Sequence, residues 1–251
     1  MQIIKILFIL LISFNSLTIF SQSKDTANKS SKKIWTGYIS LGGLFQSGNT
    51  NKISVLGKGE LRRDDKKLET VLYASYLYGT RNGLKDNNNL IASFTADYIH
   101  ENFLSPFLLQ VIEYDYSKGI DLRSQSGAGA KYTFIPDKDN KSSVSLAIIY
   151  DYTNLAENPK GYADNSTRFS FRLKTKQILL DSHLTVSAVG YFQPKYNDFS
   201  ENNQRVEVNI SIPIVNNFSF NTNYIYSLDN VVSVGRKRAD NILTFSLKYE
   251  F

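Results

Sequence analysis

Cysteine is absent from the 251 residues, and histidine occurs only twice. The first absence excludes disulfides and thiolate-held metal, and the second makes a multi-histidine metal centre a poor fit. No cofactor is expected. There is a single tryptophan, a single methionine and only five prolines. Beyond the N-terminus no stretch approaches the ~18 consecutive apolar residues of a membrane-spanning helix. Positive charge is in modest excess, Lys+Arg 29 against Asp+Glu 23, but the cations are scattered singly among turns and polar faces. Nucleic-acid binding calls for a clustered basic stripe with exposed aromatics, so that class is set aside. The mean hydropathy of -0.27 separates nothing. It suits a soluble protein, and equally a membrane barrel whose strands turn half their residues to a polar interior.

What the chain does have is a patterned N-terminus, many aromatics and a period of two. Lys5 precedes an apolar run from Ile6 to Ile12, which continues with interruptions to Phe20 and ends in Ser21-Gln22-Ser23. A basic start, a short hydrophobic core and small residues at the cut describe a secretory signal. Residues 1–23 are therefore expected to be removed, residues 24–34 to form a short periplasmic tail, and residues 35–251 to fold as one domain.

From Trp35 onward about twelve alternating segments of roughly 10–14 residues follow one another, separated by Gly, Asn, Asp and Pro breaks. They fall at 35–46, 50–62, 67–79, 88–100, 104–117, 123–135, 142–154, 165–177, 182–194, 203–214, 217–229 and 240–251. No segment has a helical period. The last is the clearest: Leu243, Phe245, Leu247, Tyr249 and Phe251 alternate with Thr244, Ser246, Lys248 and Glu250. On a strand, period two gives one apolar and one polar face. A strand of this kind with aromatics at the last and third-last positions resembles the terminal strand of Gram-negative outer-membrane barrels. That resemblance implies an assembly signal in Phe245, Leu247, Tyr249 and Phe251, read by the barrel-assembly machinery and periplasmic chaperones.

Magnitude sets which face looks where. In the eighth segment Phe169, Phe171 and Leu173 alternate with Arg168, Ser170, Arg172 and Lys174. A Lys or Arg facing lipid at mid-membrane costs about 2–4 kcal/mol, so the charged face is expected inward. The same phase turns Lys58, Glu60, Asp97, Glu113, Asp115, Arg205, Glu207 and Lys248 inward as lumen-lining candidates. Tyrosines then collect at strand ends on the outer face, where a ring can sit in the interface with its hydroxyl wet. Tyr76, Tyr78, Tyr114, Tyr116, Tyr150, Tyr152, Tyr224 and Tyr226 form one girdle, and Tyr98 belongs to the other. Short breaks after even segments and mostly longer ones after odd segments put both termini in the periplasm. The fold expected is all-β: a transmembrane antiparallel up-and-down β-barrel of about 12 strands, in outer-membrane lipid. Oligomeric state is left open.

Trp35-Thr-Gly37, Leu41-Gly42 and Gly48-Asn49 resemble the opening of the YdiY-like family of salt-induced outer-membrane proteins of unknown function. The stretch Tyr114-Asp-Tyr-Ser-Lys-Gly119-Ile-Asp121-Leu-Arg123, running into Gly127-Ala-Gly129-Ala-Lys-Tyr132, is similar to that family's middle segment. The one departure is Lys118, where an aromatic is expected. The resemblance implies an outer-membrane barrel and transfers no catalytic residue.

Candidate chemistry is sparse. His100 and His183 fall at turns and read as solvated; a lipid hydrolase would need a serine and an orienting acid beside one of them. No G-x-S-x-G element occurs, so catalysis is not expected. The inward charges are more informative. An acidic side (Asp97, Glu113, Asp115) facing a basic side (Arg168, Arg172, Lys174) could set a field across a water-filled pore. Twelve strands about 4.8 Å apart and tilted about 40° enclose a backbone cylinder of roughly 24 Å. Long side chains would leave a narrow channel or fill it. The expectation leans to a narrow passive channel for small hydrophilic solutes, without a large inward plug because the loops are short. The alternative is a non-conducting structural or envelope-stress protein with a filled lumen.

Overall fold

A computed structural model describes residues 34–251 except 49, 66, 138–139, 157–162 and 181. The expected signal peptide and most of the expected tail lie outside the described residues. Twelve strands follow in order: β1 (Trp35–Gln46), β2 (Lys52–Asp64), β3 (Leu68–Arg81), β4 (Leu84–Tyr98), β5 (Leu104–Asp115), β6 (Ile120–Pro136), β7 (Lys141–Leu155), β8 (Ala163–Leu179), β9 (Leu184–Pro194), β10 (Asn202–Val215), β11 (Phe218–Leu228) and β12 (Ala239–Glu250). Each pairs antiparallel with its neighbours in sequence, and β1 pairs with β12, so the sheet closes into a barrel with no free edge. No helix occurs among the described residues.

The closing seam is short. Its register runs from Tyr38↔Glu250 to Gly42↔Ser246, whereas β1 and β2 pair from Trp35↔Arg63 to Gln46↔Lys52. Phe251 extends the seam: its N–H donates to Gly37 O (3.0 Å) and Gly37 N–H donates to Phe251 O (3.2 Å). The last residue of the chain thus takes part in closure through its backbone.

Alternation decides the two surfaces. Leu41, Leu108, Ile148 and Leu247 are 68%, 61%, 59% and 55% exposed on the outer face, an apolar exterior far larger than the patches soluble proteins show. Phe220 and Phe245 stack across β11 and β12 at 6.2 Å, and Phe171 and Phe192 across β8 and β9 at 6.2 Å. The interior carries the polar set, with Ser40, Gln125, Ser145, Asn221 and Asn223 all buried. An apolar outside closed around a polar inside is the architecture of a transmembrane barrel, in which every backbone group is paired within the sheet.

Two expectations are corrected. The break expected over 80–87 is no loop: β3 continues to Arg81 and β4 starts at Leu84, joined by Asn82-Gly83 at φ 51° and 80°. Two consecutive left-handed residues make the tight hairpin whose twist matches its strands, and Asn-Gly is the pair that tolerates it. The loop-length alternation consequently holds for only part of one rim. The longer intervals between strands follow β7, β9 and β11, strands that finish at the same end of the barrel.

Candidate functional site

The inner wall holds the functional residues, and at the loop end it is locked by ion pairs. Lys118, in the β5–β6 turn, donates from Nζ to Asp229 and to Ser227 Oγ (3.0 Å). Asp229 opens the β11–β12 connection and also takes Arg123 Nη1 at 2.9 Å. Arg123 of β6 reaches Glu113 Oε2 of β5 at 3.0 Å and Thr153 Oγ1 of β7 at 3.1 Å. Four strands separate β6 from β11 around the barrel, so these bonds cross the lumen. Backbone contacts seat the same segment: Ser233 N–H donates to Lys118 O (3.1 Å) and Ser233 Oγ to Gly119 O (2.8 Å). Gly119, at φ 64°, leaves room for this approach, since a Cβ there would lie 2.3 Å from Ser233 Oγ. The sequence speaks only against a large plug and does not foretell a short segment drawn inward at this mouth. The segment 229–238 lies across the mouth, drawn in by charge.

A second network continues from the first. Arg168, 1% exposed, donates from Nε to Asp151 Oδ2 (3.1 Å) and from Nη1 to Gln193 O and Glu201 O (both 3.3 Å). Lys195 holds Glu201 at 2.7 Å and Asp164 at 3.6 Å. Asp151 also takes Thr153 Oγ1 (3.1 Å) and Gln125 Nε2 (3.1 Å), so one chain of polar contacts runs from β11 to β10 around the inside. Removing one partner from a buried pair of this kind costs about 3–5 kcal/mol, because the other charge is left stranded.

Outside the strands the electrostatics favour the charged latch. Burial works against the Lys118 ammonium, but Asp229 and Glu113 outweigh it and hold its pKa above the ordinary lysine value. Burial likewise opposes the Asp229 carboxylate, and Arg123 and Lys118 override it, keeping the carboxyl below its usual range. Both groups stay ionised together.

The candidates read from sequence fall in three settings. Lys58 reaches from β2 to Glu207 of β10 at 3.7 Å and to Asn223 Oδ1 at 3.1 Å; Arg205 meets Glu207 at 3.3 Å. Asp97 is paired with Lys131 at 2.6 Å, Glu60 with Arg62 at 3.1 Å, and Lys248 with Glu250 at 2.7 Å. Glu113 and Asp115 serve the latch, Asp115 accepting from Ser117 Oγ (2.5 Å) and Lys118 N–H (3.1 Å). Two carboxylates of the acidic side, Asp97 and Glu113, are thus paired locally, with Lys131 and Arg123. Arg172 and Lys174 stand differently: Arg172 donates to Ser145 Oγ at 2.9 Å and lies 5.4 Å over the Phe107 ring, and neither cation is ion-paired among the described residues. Phe107 belongs to a small apolar cluster with Leu109, Ala147 and Ile149 that fills the β5–β7 side of the interior. Below the latch the lumen keeps a cavity of about 90 Å³, bounded by Leu56, Lys58, Glu113, Lys118 and Arg205.

Among the girdle candidates, Tyr76, Tyr78, Tyr98, Tyr150 and Tyr224 are exposed on the outer face, and Tyr114, Tyr152 and Tyr226 half-buried. Tyr76 donates to Asn88 Oδ1 (2.7 Å) and Tyr224 to Asn241 Oδ1 (2.6 Å), keeping their hydroxyls bonded. Tyr116 lies in the β5–β6 turn instead, beneath Lys85 at 3.8 Å and Arg236 at 5.8 Å. His100 is not a solvated turn residue. It is 6% exposed and joins two turns, with Nε2 2.7 Å from Asp65 O and 3.1 Å from Asp64 Oδ1. His183 is exposed and bonded to Leu180 O at 2.8 Å. Neither histidine meets a serine in these contacts.

Sequence reasoning missed Lys118, Arg123, Lys131, Asp151 and Asp229. Arg123 and Lys131 share the phase of Gln125, and Asp151 sits between Tyr150 and Tyr152, so phase could have found those three. Nothing local marks Asp229.

Three barrels among solved structures are similar in chain trace. The NanC porin has 12% identity and a TM-score of 0.49, over 85% of this chain and 97% of that one. The KdgM porin has 10% identity and 0.44, over 87% and 99%. The translocator domain of the autotransporter NalP from Neisseria meningitidis has 11% identity and 0.43, over 86% and 87%. No curated protein matches the sequence. The family described as "Protein of unknown function, DUF481" matches residues 39–251, which is the barrel nearly entire. The chain belongs to that family.

Proposed function

We propose that this chain is an outer-membrane β-barrel offering small hydrophilic solutes a narrow passive route, closed at the loop-end mouth in the conformation described. One observation carries the reading. Charged side chains of the inner wall keep contact with solvent, Arg205 at 34%, Arg62 at 32% and Lys174 exposed outright. A lumen packed solid with side chains would bury them. The sequence supports the location through its N-terminal secretory pattern, and the apolar exterior supports outer-membrane lipid as the surrounding phase. Both termini in the periplasm, and assembly through Phe245, Leu247, Tyr249 and Phe251 by barrel-assembly machinery and chaperones, belong to the same reading.

Planar-bilayer recording tests it: the reconstituted mature chain is expected to give small discrete channels. A silent bilayer at high protein load would remove the passage.

The buried latch favours a second reading, a non-conducting structural or envelope-stress barrel, which the resemblance to the YdiY-like family also supports. A silent wild type that stays silent after the latch is cut would favour it.

A further inference from the structure

Four cations of the inner wall stand outside the ion pairs. Lys141 of β7, and Lys176, Lys174 and Arg172 of β8, have no ion-pair partner among the described residues, whereas Lys58, Arg123, Lys131 and Arg168 each meet a carboxylate. The four are contiguous. Lys141 pairs across from Lys176 at the turn end of the barrel, and Lys174 and Arg172 follow at alternate positions on β8. Each step of two residues along a strand is about 7 Å. Across from Arg172 lies Tyr191 of β9, and across from Tyr191 lies Arg205 of β10. On the other flank Arg172 donates to Ser145 Oγ, and Lys174 lies across from Ser143. Thr133, across from Ser143, holds a buried hydroxyl that makes no hydrogen bond.

Like charges on facing strands repel one another. The rest of this wall neutralises its cations by direct ion pairs within the chain, whereas Lys174 and Lys141 meet Glu60 and Glu69 only through the field, beyond ion-pair distance, so the file has donors open to something supplied from outside. The chemistry that answers is an oxyanion. A guanidinium offers a planar fork, an ammonium a point charge, and flanking hydroxyls complete the oxygen shell. A cation would be repelled along the file, and a neutral polyol would find donors with few matching acceptors. We infer that the inner wall of β7–β9 is an oxyanion-binding track, centred on Arg172 and Lys174, that takes phosphate, sulfate or carboxylate groups from the turn-end mouth. Selection of anionic solutes by the passage follows from this and rests on the conduit reading; binding itself does not.

The two claims separate in one set of measurements. Detergent-solubilised, folded barrel is titrated calorimetrically with inorganic phosphate and, as a size-matched neutral probe, glycerol. Phosphate is expected to bind and glycerol not, with apparent phosphate affinity falling about tenfold or more in Arg172→Gln/Lys174→Gln, the low end of what a focused field supplies. Lys174→Gln alone, an exposed side chain whose loss leaves packing intact, is expected to show part of that fall. Absent binding in the wild type, or wild-type affinity in both variants, overturns the track whatever the bilayer shows. In bilayers with a KCl gradient the wild-type reversal potential is expected on the anion-selective side and nearer zero in the double variant. Phosphate binding with no conductance at all would sink the conduit and leave the track standing. Conductance with a cation-selective or variant-insensitive reversal potential would sink the selection and leave the conduit.

Discussion

Asp229 anchors the proposed closure of the mouth, because two cations from the opposite wall end on it. Asp229→Asn leaves Lys118 and Arg123 short of charge in a buried setting, a loss of roughly 3 kcal/mol at that site. The expected outcome is a larger unit conductance, or longer open times, in planar bilayers, with the barrel retained. Unchanged records would mean that the segment 229–238 does not gate the path. The latch should also be indifferent to pH over a wide window. The Asp229 pKa is held below its usual range, so its contribution is complete above the unfolded value near ~3.9 and fades only as pH falls through the lower folded value. The Lys118 pKa is raised, so its contribution is complete below ~10.4 and fades only as pH climbs past the higher folded value. Single-channel records between about pH 5 and 9 should therefore show the same closed fraction. A gating transition near pH 6 would point to another group.

Residues facing lipid were legible one by one, since Val144, Leu146 and Ile148 can only be read as one face of a strand. The latch was not. Lys118 and Asp229 are 111 positions apart, and they meet only because a closed circle of twelve strands brings opposite walls within reach of two side chains. Lys118 was visible as a departure from the resembled pattern, yet nothing in the sequence says what it reaches.

At the scale of strands, alternation makes a sharp prediction. Ile148 faces outward at 59% exposure and its neighbour Ile149 inward at 1%. Ile148→Arg should destabilise the folded barrel in vesicles by about 2–4 kcal/mol, read from urea titration. Thr167→Arg, nearer the loop end on the same face of β8 across from Tyr150, should cost clearly less, because the penalty declines toward the interface. Equal costs would contradict the membrane depth assigned to β7. The seam between β1 and β12 is the other element under test. Removing Phe251 deletes two backbone hydrogen bonds to Gly37 at the shortest register of the barrel. A fall in the yield of folded barrel on refolding into vesicles is expected; an unchanged yield would mean that these two bonds do not hold the seam.

Strand positions were legible because period two survives in every segment. The β3–β4 hairpin was misread for a physical reason. Lys85-Asp86-Asn87-Asn88-Asn89 has the composition of a loop, but its backbone is paired to β3 beyond the apolar band, where polar residues cost nothing. Composition reports the solvent around a segment, and at the rim of a barrel a strand and a loop share the same solvent.

For the whole molecule, the two-phase arrangement explains a polar sequence with a wide apolar exterior, and it places every ion pair described above on the wet side. The sharpest check uses the absence of cysteine, since any introduced thiol is the only one present. Single-cysteine variants at Ile148 and Lys174 are reconstituted into vesicles; one portion of each is labelled with a fluorophore for quenching by bromine-bearing acyl chains, and another portion of each is challenged with a water-soluble maleimide. The account predicts strong acyl-chain quenching and no aqueous labelling at position 148, with the converse at position 174. Aqueous labelling at 148 together with lipid quenching at 174 would contradict it.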